Sequence, residues 1–158
     1  MGDKELKQAR IVFNTFCSML DKGGWKYRKD DDEMHIECGV AGDDLPLLLH
    51  INIDADRELI RLHSSLGNIP RGKRSEAALA ICAINYLLIN GCFDYDYNDG
   101  ETVFRLVNSY AGSIVGEEMC KYIFMCSCLT VDKYNDLIVK YMLGGMSLEE
   151  LIAKINSD

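Results

Sequence analysis

The hydrophobic period of this chain switches back and forth between about 3.6 and 2, and the order of the switches limits the folds open to it. From Lys4 to Leu20 the period is helical. Leu6, Ala9, Phe13, Phe16, Cys17 and Leu20 share one side, and Lys7, Asn14, Ser18 and Asp21 share the other. Gly23-Gly24 ends that stretch. Period-2 segments follow at Trp25–Lys29, Glu33–Val40, Leu47–Ile53 and Leu59–Leu66. In the second, Met34, Ile36, Cys38 and Val40 face one way and Glu33, His35 and Glu37 the other; in the third the apolar set is Leu47, Leu49, Ile51 and Ile53. Their turns, Ala41-Gly42-Asp43-Asp44 and Asp54-Ala55-Asp56, suit antiparallel neighbours. Such a sheet buries one face and wets the other.

Pro70-Arg71-Gly72 leads into a second helix over Lys73–Asn90. Ala77–Ile89 is apolar almost all round, which predicts the most buried helix of the fold, with Gly91 as its C-cap. Phe93, Tyr95 and Tyr97 then alternate with Asp94, Asp96 and Asn98 ahead of Asp99-Gly100, the residue pair of a type I′ hairpin turn. A two-residue loop there pairs Tyr95 with Phe104 and Phe93 with Leu106, and sets Asp94 opposite Arg105. From Glu117 to Leu143 the apolar residues keep a 4-3 spacing, which fits one helix of roughly 40 Å; Thr130 could instead cap a second one. After Gly144-Gly145, Ser147 and Glu150 form a capping box, with Met146 and Leu151 placed for a hydrophobic staple, ahead of a short helix to Asn156.

The order is α-β-β-β(-β)-α-β-β-α-α. It predicts a single α+β domain over residues 1–158, an antiparallel sheet with helices packed mainly on one face. No repeat, linker or low-complexity segment divides the chain.

The landmarks Asn68-Ile69-Pro70, Asn85-Tyr86, and Gly91-Cys92-Phe93-Asp94-Tyr95-Asp96 leading to Asp99-Gly100, taken with this order, resemble the YbjN-like family of bacterial proteins. The resemblance runs roughly from Leu6 to Leu143. It implies a fold similar to type III secretion chaperones, which are small acidic α/β dimers that bind extended segments of client proteins. It also implies a sensory-transduction or stress regulator. No catalytic residues are attributed to the family, so none carries over. The cysteine-rich long helix and the added C-terminal helix depart from the pattern.

Composition narrows the classes further. A net charge of −8 opposes general nucleic-acid binding, which needs a cationic field, and docking on anionic lipid. The seven cysteines are odd in number and several lie in apolar runs, as expected of reduced thiols in a cytoplasmic protein. The first residues have no apolar core of a signal peptide, and Leu6 breaks the myristoylation pattern. There is no P-loop, G-x-S-x-G or G-x-G-x-x-G, and the paired carboxylates lie in turns.

Four constellations remain. Asp94-x-Asp96-x-Asn98 begins like a calcium loop, but Asp99 stands where glycine is needed and Arg105 where the bidentate glutamate is needed. His35, His50 and His63 fall one to a strand on the polar faces. A four-residue turn at Ala55–Glu58 sets His50 opposite His63 and a two-residue turn sets it opposite Arg61; three convergent imidazoles would suit zinc. Cys120, Cys126 and Cys128 splay around a helix and read as small core hydrophobes. Arg71, Lys73 and Arg74 read as a solvated basic loop.

The expectation is a non-catalytic cytoplasmic protein, without cofactor, that works through a protein client or regulatory partner and is a homodimer. Tyr134, Tyr141 and Met142 on the long helix are the candidate contact residues. The alternative is a small-molecule or metal-ion sensor that uses the polar sheet face through His35, His50 and His63.

Overall fold

In the computed structural model, which describes residues 2–157, the first helix spans Asp3–Lys22 (α1). It buries Ala9, Val12, Phe13, Phe16, Cys17, Met19 and Leu20, the stripe set by its 3.6-residue period. Four strands follow: β1 (Tyr27–Asp30), β2 (His35–Val40), β3 (Leu47–Asp54) and β4 (Leu59–Asn68). A single 3₁₀ turn at Arg71–Lys73 leads into α2 (Arg74–Leu87). The chain continues through β5 (Cys92–Tyr95), β6 (Glu101–Ser109), α3 (Glu117–Met142) and α4 (Leu148–Ile155).

All six strands form one antiparallel sheet in the order β1-β2-β3-β4-β6-β5. The chain leaves β4 for α2 and β5 and returns beside β4 as β6, so β5 is an edge strand. The period-2 faces hold throughout. Ile36, Cys38, Leu49, Ile51, Ile60, Leu62, Phe93, Phe104 and Leu106 are buried on the inner face, against α1 and α3. Each such large side chain stabilises the fold by about 1.5–3 kcal/mol relative to exposure. Among the described residues no helix packs on the centre of the other face, which carries His35, Glu37, His50, His63 and Arg105. The expected α+β architecture, with helices mainly on one face, is the observed one.

α3 is continuous. Its buried stripe runs from Cys120 to Tyr141 without a gap, so packing carries the helix through Thr130. Ser127, the polar member of the stripe, donates from Oγ to the Ile123 carbonyl oxygen at 2.8 Å and so enters the core satisfied. The capping box of α4 is complete. The Glu150 amide donates to Ser147 Oγ at 3.1 Å and the Ser147 amide to Glu150 Oε2 at 2.8 Å.

Three expectations are corrected. The first concerns the β5–β6 hairpin. Its register pairs Phe93 with Phe104 and Tyr95 with Thr102, two residues away from the register of a two-residue loop. The connection is longer, closed by a bond from the Gly100 amide to the Asp96 carbonyl at 2.8 Å. Contacts from outside the hairpin hold it open. The Ile69 amide donates to the Gly100 carbonyl at 2.7 Å, and the Arg74 guanidinium donates to the carbonyls of Asn98 and Asp99. A shift of two leaves every side chain on its face. Asp94 therefore still pairs with Arg105, as a diagonal neighbour rather than a direct one.

The second concerns α2, which ends at Leu87 because Leu88 is extended; Gly91 lies beyond and is not its cap. Only Ala77, Ala80, Ile81 and Ile84 of the helix are buried. α1 and α3 already cover the sheet, so α2 packs at the flank against β5 and α4 and turns its remaining apolar side chains outward. The third concerns the basic cluster, two members of which are structural. Lys73 Nζ donates to the Tyr141 carbonyl at 2.5 Å, at the carbonyl end of α3 where the helix dipole favours a cation. Arg74 ties the hairpin loop to the start of α2.

Candidate functional site

Two features of the surface stand out from the folded frame: a row of titratable groups on the open sheet face, and an apolar area at α2 and α3.

The row is a product of register. Arg28 on β1 faces Glu37 on β2, which faces His50 on β3, which faces His63 on β4, which faces Arg105 on β6, which faces Cys92 on β5. The four-residue turn at Ala55–Glu58, one of the two alternatives open to the sequence, sets His50 opposite His63. His35 joins from the diagonal. Its Nε2 lies 3.2 Å from His50 Nδ1, and the two rings are nearly parallel with centroids 5.4 Å apart. His63 stacks on the other side of His50 at 4.9 Å.

All three histidines are thus brought together, but their ring nitrogens are not equivalent. The ligand atoms of His35, His50 and Glu37 lie within 4.8 Å of one another, the one such group of histidine, cysteine and carboxylate side chains among the described residues. Glu37 Oε1 is 3.8 Å from His50 Nδ1, and the other carboxylate oxygen accepts from Arg28 at 2.8 Å. His63 contributes a stacked ring. Burial holds its imidazole below the ordinary histidine pKa, helped by His50, Arg61 and His35. Sequence reasoning named the histidines and missed Glu37. The signal was the His35-x-Glu37 alternation, which puts both on one face of one strand.

The apolar area arises because α2 is apolar all round while the fold covers only part of it. Leu79, Cys82, Tyr86 and Leu87 are exposed along its outer side, Tyr86 at 88%, and Ile89 beyond it is fully exposed. Next to this side, Leu87–Asn90 and the α3 residues Tyr122, Cys126 and Leu129 line a cleft of about 390 Å³. The sequence-predicted contact residues sit mostly beneath that surface. Tyr134 is only 3% exposed and forms part of the cleft floor. Tyr141 is 2% exposed, with its hydroxyl 3.3 Å from Glu76 Oε2, and Met142 is half-buried against the core. Tyr134 and Tyr141 are thus core side chains. Their helical spacing placed them on one face but did not reveal that Tyr134 meets Phe93 of β5 and Tyr141 meets Lys73 and Glu76 at the start of α2.

The other constellations have structural roles. Asp94 pairs with Arg105, which holds its carboxyl below the usual range, and Asp96 Oδ1 accepts from the Asn98 amide at 2.7 Å. These are bonds of a hairpin and its loop. Burial pushes the thiols of Cys120 and Cys128 up to about 12, which keeps them protonated and unreactive. Among the described residues no helix is long and apolar enough to cross a membrane.

No protein-family model matches the chain, and no curated protein matches it in sequence. Solved structures do match in fold. YbjN from E. coli, a candidate transcription regulator, superposes with a TM-score of 0.55 at 12% identity, over 78% of this chain and 91% of that one. The ExsC–ExsE complex matches with a TM-score of 0.53 at 14% identity, covering 80% of this chain and 92% of its counterpart. The HopA1–SchA chaperone–effector complex matches with a TM-score of 0.50 at 14% identity, covering 86% and 93%. At such identities the likeness is one of fold, and it is the fold expected from the YbjN-like resemblance.

Proposed function

We propose that this chain is a non-catalytic, chaperone-like or regulatory cytoplasmic protein that acts through protein–protein contact. The observation that carries the reading is the uncovered apolar side of α2, with Leu79, Tyr86 and Ile89 in water beside the Leu87–Leu129 cleft. Scattered surface leucines need no explanation, but a contiguous set on one helix does. Burying it against protein recovers about 25 cal/mol for each Å² of apolar surface removed from water. Two structures of the same fold are complexes, one of a chaperone with its effector, and that supports the choice of a protein as partner.

The exposed apolar side of α2 suits a second copy of the chain, since a two-fold axis lets one patch cover itself. The cleft suits an apolar client segment, with Tyr134 at its floor and Leu129 at its rim. Tyr141 lies toward the other end of α2, where Lys73 sits over its ring at 4.8 Å, and Met142 packs against the core.

Light scattering during size exclusion tests the dimer. The expected mass is twice 17.8 kDa, falling to the monomer in Leu79→Glu/Tyr86→Glu, which touches exposed positions and keeps the fold. Affinity capture from native lysate should recover a defined protein that Leu129→Glu fails to retain. A monomer at high concentration whose captured proteins are the same in both variants would overturn the reading.

A further inference from the structure

We propose that His35, Glu37 and His50 form a divalent transition-metal site on the open sheet face, with His63 outside the coordination sphere. The inference is independent of the protein-contact reading, which concerns α2 and α3.

Geometry is the first argument. Metal–nitrogen bonds of 2.0–2.1 Å at tetrahedral angles put two ligand nitrogens about 3.3 Å apart. His35 Nε2 and His50 Nδ1 are 3.2 Å apart. Glu37 Oε1 stands 3.8 Å from the same His50 nitrogen, so modest side-chain movement brings the third ligand to bonding distance. All three residues sit on adjacent strands in regular register, His50 directly opposite Glu37, so the backbone already fixes their spacing.

Chemistry is the second. Two imidazoles and a carboxylate are the donor set of open zinc and iron sites, and imidazole disfavours magnesium and calcium. Arg28 holds the second oxygen of Glu37, the outer-shell contact that orients a ligating carboxylate. Of the cations near the row, Arg28 pairs with Glu37 and Arg105 with Asp94, while Arg61 shares Asp54 with Arg57.

Exposure is the third. The side chains of His50 and Glu37 are 24% and 29% exposed, so an ion reaches them from solvent and keeps at least one position open to water or to a donor from a partner. His63 has the same stacking relation to His50 that His35 has, yet it is absent from the group whose ligand atoms converge. That difference makes the proposal specific.

The test is titration of metal-free protein with zinc chloride alone, by calorimetry and by equilibrium dialysis with metal analysis. Co²⁺ is the spectroscopic probe of histidine coordination. Wild type and His63→Ala should each bind one zinc per chain with similar affinity. His35→Ala, His50→Ala and Glu37→Gln should each weaken binding at least about tenfold. All four side chains are part-buried on the open sheet face, outside the core, and unchanged far-ultraviolet circular dichroism in chelator separates lost binding from lost fold. Uptake well below one ion per chain would overturn the proposal. So would a His63→Ala loss as large as that of His35→Ala, or zinc binding that survives in His35→Ala/His50→Ala, which would place the ion on thiols such as Cys82.

Discussion

Asn85 on α2 should be worth more to stability than its half-exposed position suggests. Its side chain performs the job of a missing strand. Asn85 Nδ2 donates to the Phe93 carbonyl at 2.9 Å, and Asn85 Oδ1 accepts from the Phe93 amide at 2.7 Å. Phe93 lies in β5, the edge strand, so its outward amide and carbonyl have no neighbouring strand to pair with. The same residue packs its ring edge-on against Phe104 and Tyr134. Asn85→Ala removes two hydrogen bonds of about 0.5–1.5 kcal/mol each. Alanine returns up to about 0.7 kcal/mol in helix propensity, and water partly replaces the lost partners. The net cost is then about 0.5–2 kcal/mol, or roughly 1–8 °C in Tm for a domain of this size. Guanidinium denaturation measures the first and calorimetry the second. Amide exchange at Phe93 should quicken in the variant. Asn85→Asp keeps the acceptor but turns a carboxylate toward the Phe93 carbonyl, and should cost more than alanine. Equal stability of wild type and Asn85→Ala, with unchanged exchange at Phe93, would refute the argument that this amide completes the sheet edge.

Gly100→Ala should destabilise by about 2 kcal/mol or more, because the added Cβ lies 2.2 Å from the Ile69 carbonyl oxygen at a φ of +84°. Gly67→Ala has a φ of +98° but open space, and should cost only about 1 kcal/mol, so thermal melts of the pair separate clash from backbone strain. Alkylation of the native protein, read by peptide mass spectrometry, should modify exposed Cys82 and spare Cys120 and Cys128, whose thiols burial pushes up to about 12; early labelling of either would contradict their burial. The Arg105 hydrogen bond lowers the Asp94 pKa below 3.8, so its contribution is full above that value and is lost as pH falls through the lower folded value. Asp94→Asn should therefore flatten stability against pH below about 4, by less than about 1 kcal/mol because both side chains are nearly half exposed. An unchanged acid limb in urea titrations would count against the pair.

The uncovered side belongs to α2 and the His35–Glu37–His50 group to β2 and β3, so the two share no residue and neither explains the other. A protein partner at α2 leaves the sheet face open, and an ion there leaves α2 in water. Variants at Leu79 and at His50 therefore test separable properties.

The amino-acid sequence determined what is local. Periods of 3.6 and 2 decide which side chains share a face, and the inward sets Met34-Ile36-Cys38-Val40 and Leu47-Leu49-Ile51-Ile53 are buried as their alternation requires. The α4 capping box is also local, since both partners lie within one turn. Even the wrong hairpin register left each face intact, because a slip of two residues preserves alternation. Tertiary structure decided what depends on partners far along the chain. Arg74 and Ile69 set the length of the β5–β6 loop from outside the hairpin. The cover that α1 and α3 give the sheet pushed α2 to the flank and left apolar residues in water. The registers of β2, β3 and β4 brought His35, Glu37, His50 and His63 into one row. Periodicity constrains direction, whereas burial and convergence depend on which elements lie opposite, and that is fixed only when the whole chain has packed.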